Sequence, residues 1–158
     1  MIEELDAVME VMETAFDPHW GEAWNRAQVL GSLQMPHSHL LIADPSGDPW
    51  AYRREPAGFL LSRNAPGEEE LLLVAVVPAH RGKRIGATLM ERFRQDAQAR
   101  GAERLFLEMR ANNPAERLYR AQGYQPIGRR KDYYRLADGS RLDAITFALD
   151  LETDARSY

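Results

Sequence analysis

Between Val76 and Met90 the chain reads VVPAHRGKRIGATLM. The segment leading into it, EELLLVAVV at 69–77, is apolar without alternation from Leu71 onward. Such a run is expected to be a central strand buried on both faces. Pro78 ends it, and a basic stretch carrying Gly82 follows. Ile85, Leu89, Phe93 and Ala97 then recur at helical spacing, up to Gly101 as a C′ residue. A buried strand feeding a helix within a few residues commits the chain to a mixed α/β architecture.

The join has a chemistry of its own. A helix N-terminus exposes backbone N–H groups without intrahelical partners and carries roughly half a positive charge. A loop feeding that terminus can wrap an anion with its amides. Arg81, Gly82, Lys83, Arg84, Ile85, Gly86 and Ala87 form such a stretch. Gly82 and Gly86 lack a Cβ, which lets a phosphate come close to the backbone. Arg81, Lys83 and Arg84 add positive charge. The spacing is neither that of a nucleotide-hydrolase phosphate loop nor that of the dinucleotide fingerprint.

The remaining segments fit around this unit. Leu5, Val8, Met9, Met12 and Phe16 predict a helix over 2–16 with one buried face, and a second helix is expected over 22–33. Residues 39–44 and 57–63 read as strands, with DPSGDP as turn chemistry between them and NAPG as a hairpin turn. The piece WAYRREP fits a strand extension or a surface excursion. Residues 104–109, RLFLEM, alternate as a strand. NNPAERLYRAQG predicts a helix with Asn113 as N-cap, Pro114 in its first turn and Gly123 at its end. KDYYRL, DG and DAITFALDL read as a closing hairpin with Ile145, Phe147 and Leu149 on one side. One domain over 1–150 is expected, with 151–158 as a flexible C-terminal tail.

Composition narrows the function classes. The 158 residues include no cysteine, which excludes disulfides, thiolate metal sites and a cysteine nucleophile. His19, His37, His39 and His80 show no metal-ligand spacing, so no metal is expected. A net charge of −4 argues against a general nucleic-acid binder, although GRRK at 128–131 is locally basic. No apolar run reaches the roughly 18 to 20 residues of a membrane span. The acidic, amphipathic opening MIEELDAVMEVMETAF lacks the basic start and apolar middle of a secretory signal. The expected address is the cytoplasm, with no membrane partner.

The segment VAVVPAHRGKRIGATLMERF resembles the acetyl-CoA-binding motif of the GNAT superfamily of N-acetyltransferases. Arg81, Ile85, Gly86, Leu89 and Met90 fall in place, whereas Arg84 stands where the family usually has glycine. The likeness continues through LFLEMRANNPAERLYRAQGYQPIGRRKDYY, DG and DAITFAL, where it is similar to the RimI-like branch that acetylates the N-terminal alanine of ribosomal proteins. It spans about residues 70–149. Before that, FDPHWGEAW resembles the family's Phe…Pro-Trp approach to the second helix.

That resemblance implies a single GNAT-type α/β domain, its mostly antiparallel sheet splayed between two parallel strands and flanked by helices. It implies acetyl-CoA as cosubstrate. The backbone of Val74, Ala75 and Val76 would hold the pantetheine arm and polarise the thioester carbonyl. The stretch EMRANN to LY is one residue shorter than the family's, so either Asn112 or Asn113 occupies the family's asparagine position as a cofactor contact. Glu108 is implied as general base and Tyr119 as general acid, with Tyr133 and Tyr134 lining the acceptor groove. By position alone, Glu108 reads rather as part of an exposed strand face or as a partner of Arg104 or Arg110, and Tyr119 rather as a core aromatic.

The implied chemistry is coherent. An α-amine titrates near pH ~8 and must lose a proton before it attacks, while the leaving thiolate is helped by a donor. With no cysteine, direct attack in a ternary complex is expected. The acceptor expected is a protein or peptide N-terminus, such as that of a ribosomal protein. The alternatives are a small amine (an amino acid, polyamine or drug) and a non-catalytic acyl-CoA-binding regulatory domain.

Overall fold

The structure is a computed structural model that describes residues 2–151. The expected tail, from residue 152 on, lies outside the described residues. In order, the elements are α1 (Ile2–Ala15), α2 (Arg26–Leu33), β1 (Ser38–Ala43), β2 (Gly58–Ala65), β3 (Glu68–Val76), α3 (Ile85–Ala99), β4 (Arg104–Arg110), α4 (Glu116–Ala121), β5 (Gln125–Arg135) and β6 (Arg141–Asp150). Single 3₁₀ turns at Pro18–Trp20 and Pro78–His80 precede α2 and α3.

The strands form one six-stranded sheet in the order β1-β2-β3-β4-β6-β5. Every pairing is antiparallel except β3 with β4, which is parallel. The mixed α/β sheet flanked by helices is the expected fold. Helices α1 and α2 cover one face, where Leu5, Val8, Val11, Met12 and Val29 pack on Ile42, Phe59 and Leu61. Helix α3 covers the other, with Ile85, Leu89, Phe93 and Ala97 against Leu60, Leu71, Leu105 and Leu107. Among the described residues no helix is long and apolar enough to cross a membrane.

The buried stripe of α1 is Leu5, Ala7, Val8, Val11 and Met12, so it is turned slightly from the expected one and leaves Met9 and Phe16 partly covered. Helix α2 starts at Arg26, later than the expected 22. The reason is a reciprocal cap: Asn25 accepts from the Gln28 N–H and the Gln28 side chain accepts from the Asn25 N–H, both at 2.8 Å. Helix α4 also starts late. Asn113 does accept from the Ala115 N–H at 2.9 Å, but this closes a turn, and the helix proper begins at Glu116. The WAYRREP piece is a surface excursion, tethered by the Trp50 indole N–H donating to the Arg54 carbonyl at 2.7 Å.

One correction to β3 positions the site. The strand is not buried on both faces: Leu72, Leu73, Val74 and Val76 are only partly covered. Its ladder with β4 stops at Leu71↔Leu107. At the same point the β2 ladder steps from Ser62↔Leu71 to Leu61↔Leu73, leaving Leu72 as an extra residue. A bulge bends its strand and increases its twist. From Leu72 onward β3 stays with β2 and departs from β4, so the sheet opens in its interior.

A buried polar cluster braces the closed end of the fork. Glu69 is 0% exposed, yet Arg100 grips its carboxylate with two hydrogen bonds at 2.9 and 2.7 Å. The Ser62 hydroxyl donates to the same carboxylate at 2.8 Å.

Candidate active site

The opening between β3 and β4 is the floor of a cleft of about 1070 Å³. Its walls are the 17–25 loop, the α3 N-terminus, the β4–α4 turn and Tyr134 of β5. Of the residues singled out from sequence, Val74, Ala75, Val76, Arg81, Gly82, Arg84, Ile85, Gly86, Ala87, Glu108, Asn112, Asn113, Tyr119 and Tyr134 all line it. Lys83 and Tyr133 do not. The Lys83 ammonium lies 3.1 Å from Nδ1 of His80, and Tyr133 is 51% exposed on the outer side of β5. A smaller cavity of about 340 Å³ near Glu4, Ser38 and Arg100 contains none of them.

The phosphate-cradle geometry is present at the start of α3. Arg84 is the N-cap and makes no side-chain cap bond, so helical geometry leaves the amides of Ile85, Gly86 and Ala87 without intrahelical acceptors. Arg84 sits at φ 62°, ψ 19°, in the left-handed region that a glycine would take for free. Its side chain is largely exposed, 3.6 Å from Glu91. The missing Cβ of Gly86 serves packing as well as access, since a Cβ there would meet Leu118 at 3.3 Å. Arg81 is committed to the protein itself, donating to the carbonyls of Ala15 at 2.7 Å and Val76 at 3.3 Å. It ties the end of α1 to the end of β3.

Leu105, Leu107 and Met109 are buried beneath β4, which presents Phe106 and Glu108 on the opposite face. The carboxylate of Glu108 is 3.7 Å from Arg130, and neither Arg104 nor Arg110 pairs with it. Tyr134 lines the same cleft as this carboxylate. Burial, then the charges of Glu108 and Glu22, push its hydroxyl pKa up to about 12. Tyr119 is 7% exposed, part of the core and also of the cleft wall. Burial first, and Glu22 second, raise its pKa well above the ordinary tyrosine value. Its hydroxyl therefore keeps its proton to higher pH than a free tyrosine does.

A second group was not singled out from sequence. Arg110 is buried and donates to Glu22 at 3.0 Å, while its guanidinium lies 3.8 Å from the centre of the Trp20 ring. Asn113 donates to the other oxygen of Glu22 at 3.3 Å. This group fastens the 17–25 loop to β4. The signal was faint: Trp20 and Glu22 lie in an aperiodic loop, and Arg110 reads as an ordinary strand-end charge. With Asn113 so engaged, Asn112, at φ 67°, is the asparagine whose side chain makes no hydrogen bond.

These features fit coenzyme A: uncapped amides at the head of a helix, a long cleft, and a β3 edge with no strand beside it from Leu72 to Val76. Comparison with known proteins agrees. A profile described as the acetyltransferase (GNAT) family matches residues 5–124. The chain is 29% identical over 134 residues to a putative ribosomal protein bS18-alanine N-acetyltransferase of Bacillus subtilis, covering 84% of this chain and 82% of that one. It is 35% identical over 131 residues to the N-alpha-acetyltransferase RimI of Mycobacterium tuberculosis, covering 82% and 77%. Its fold superposes on the crystal structure of the Escherichia coli ribosomal-protein-S18-alanine N-acetyltransferase with a TM-score of 0.79 at 24% identity, covering 100% and 94%. The chain belongs to the acetyltransferase (GNAT) family and is an acetyl-CoA-dependent N-acetyltransferase.

Proposed function

We propose that this enzyme acetylates the α-amine of protein N-termini, with an alanine-starting ribosomal protein as its first candidate substrate and the cytoplasm as its place of action. The observation that carries the reading is the fork between β3 and β4, which brings Glu108, Tyr119 and the free edge of β3 into one cleft. The names of the relatives support the choice of acceptor.

In this reading the amides of Ile85, Gly86 and Ala87 hold the diphosphate, and Asn112 is the asparagine available to the cofactor. The backbone of Val74, Ala75 and Val76 receives the pantetheine arm as a strand would. Acetyl-CoA supplies an acyl group already activated as a thioester. Glu108 takes a proton from the acceptor ammonium, directly or through water. Tyr119 holds its hydroxyl proton for the departing sulfur. Tyr134 forms part of the acceptor wall. Transfer is direct, within a ternary complex.

The test is a panel of peptides beginning with Ala, Ser or Met, set against spermidine and free amino acids, each with acetyl-CoA. Turnover is expected on the Ala-starting peptide and to be negligible on the small amines. The reverse pattern overturns the protein-acceptor reading.

A further inference from the structure

We propose that Asp143 is a positioning residue which sets Tyr134 in the acceptor wall by pinning a bulge in β5. The inference rests on the reading of Tyr134 given above. In the β5–β6 ladder Arg130 stands opposite Ala144 and Tyr134 opposite Leu142. Four steps along β5 are thus matched by two along β6. A regular antiparallel ladder advances both strands equally, so two extra residues are absorbed between Arg130 and Tyr134. Tyr134 consequently stands two places, about 6.6 Å at the usual rise per residue, nearer to Arg130 than an unbroken strand allows.

That displacement decides what Tyr134 faces. Ala144 is also opposite Arg110, the last residue of β4. Tyr134, opposite Leu142, stands two residues beyond that level; in an unbroken ladder it would stand opposite Ser140, four residues beyond. With the bulge, Tyr134 lines the cleft within electrostatic reach of Glu108 and Glu22. The extra residues do not displace both tyrosines alike: Tyr133 packs edge-on to Tyr134, 5.3 Å between centres, and faces solvent.

The bulge is a conformation that must be held. Asp132 lies at φ 53°, a left-handed value that residues other than glycine seldom adopt. One carboxylate holds it. Oδ1 of Asp143 accepts from the Asp132 N–H at 2.9 Å, and Oδ2 accepts from the Arg129 guanidinium. The Asp143 carbonyl accepts from the Ala111 N–H at 2.8 Å, just beyond β4. Among the described residues no other side chain hydrogen-bonds the backbone of the bulge. Asp143 thus joins the strand before the bulge, the left-handed residue within it and the end of the catalytic strand.

The test uses steady-state kinetics with acetyl-CoA and an alanine-starting peptide. Asp143→Ala is expected to raise the KM for peptide about tenfold, the scale of a modest misplacement, while the Kd for acetyl-CoA stays at the wild-type value. Asp143→Asn keeps an oxygen for the Asp132 N–H and is expected to restore most of the loss. Tyr134→Ala should raise the peptide KM similarly, and the double variant should be no worse than Tyr134→Ala alone. A wild-type peptide KM in Asp143→Ala, or losses that multiply in the double variant, overturn the proposal. An unchanged peptide KM in Tyr134→Ala removes the acceptor-wall reading instead. The position of Tyr134 in a crystal structure of the Asp143→Ala protein then decides the positioning role by itself: a displaced Tyr134 upholds it and an unmoved one ends it.

Discussion

The guanidinium of Arg110 lies 3.8 Å from the centre of the Trp20 ring and at the same time donates to Glu22 at 3.0 Å. One strand-end side chain therefore holds the 17–25 loop at two points. Arg110→Leu removes a cation–π contact of about 0.5–2 kcal/mol and leaves the Glu22 carboxylate without its arginine. The KM for acceptor is expected to rise several-fold with little change for acetyl-CoA. Limited proteolysis should show faster cleavage within residues 17–25. Lys at this position keeps the charge but not the planar stack, and is expected to rescue only partly.

Glu108→Gln keeps the shape of the side chain and removes the proposed base. The expected loss in kcat is about 10²- to 10⁴-fold, with acetyl-CoA binding by calorimetry unchanged. An equal loss of acetyl-CoA affinity would point to a structural role for Glu108.

As the proposed acid, Tyr119 is expected to set the alkaline side of the pH profile. Its folded-state pKa is raised, chiefly by burial. The protonated, donating form therefore persists to higher pH than in a free tyrosine. If Tyr119 is the acid, kcat should hold through pH ~10, the free-tyrosine value, and fall only above it. The same shift works against the fold at high pH: an unfolded chain releases this proton first, so the stability tied to Tyr119 is lost as pH climbs past ~10. Tyr119→Phe is expected to lower kcat at every pH below that limb.

The Glu69–Arg100 pair makes a prediction about stability alone. Replacing Arg100 with Ala leaves a fully buried carboxylate with only the Ser62 hydroxyl. The expected cost is about 3 kcal/mol or more, read as a lower midpoint in urea at unchanged slope.

Arg84→Gly relieves a left-handed backbone conformation that costs a non-glycine residue roughly 1–2 kcal/mol. The flexibility of glycine in the unfolded chain takes back about 0.5–1 kcal/mol. A small net rise in thermal midpoint is expected. A fall would mean that the Arg84 side chain contributes more through its contact with Glu91 than the 3.6 Å separation implies.

The parts of this fold written in short-range chemistry could be read from the chain. Leu105 and Glu108 on opposite faces of β4, the inner stripe of α3 and the Gly67 hairpin turn follow from period and turn residues. The fork itself could not be read that way. Leu72 to Val76 are as apolar as a doubly buried strand, because their side chains look the same whether β4 or a substrate lies beside them. The starts of α2 and α4 were missed because Asn25 and Asn113 both have a cap partner three residues on, Gln28 and Glu116, and only at Asn25 do both bonds of the box form. Arg81 read as an anion ligand on charge alone. Its acceptor at Ala15 is 66 residues away and leaves no local mark. Trp20, Glu22 and Arg110 were hidden for the same reason: their pairing depends on two distant segments meeting.

The fork has a cost that the rest of the sheet does not bear. From Leu72 to Val76 one side of β3 is a raw border with no neighbouring strand, kept in the middle of the protein and not at its rim. Proteins ordinarily blunt such borders because they recruit foreign strands. If the pantetheine arm pairs with it, the border must stay bare to be useful. The resting enzyme is then the vulnerable form, and coenzyme A laid along the border would stabilise the folded state by mass action, with the melting point rising with its concentration.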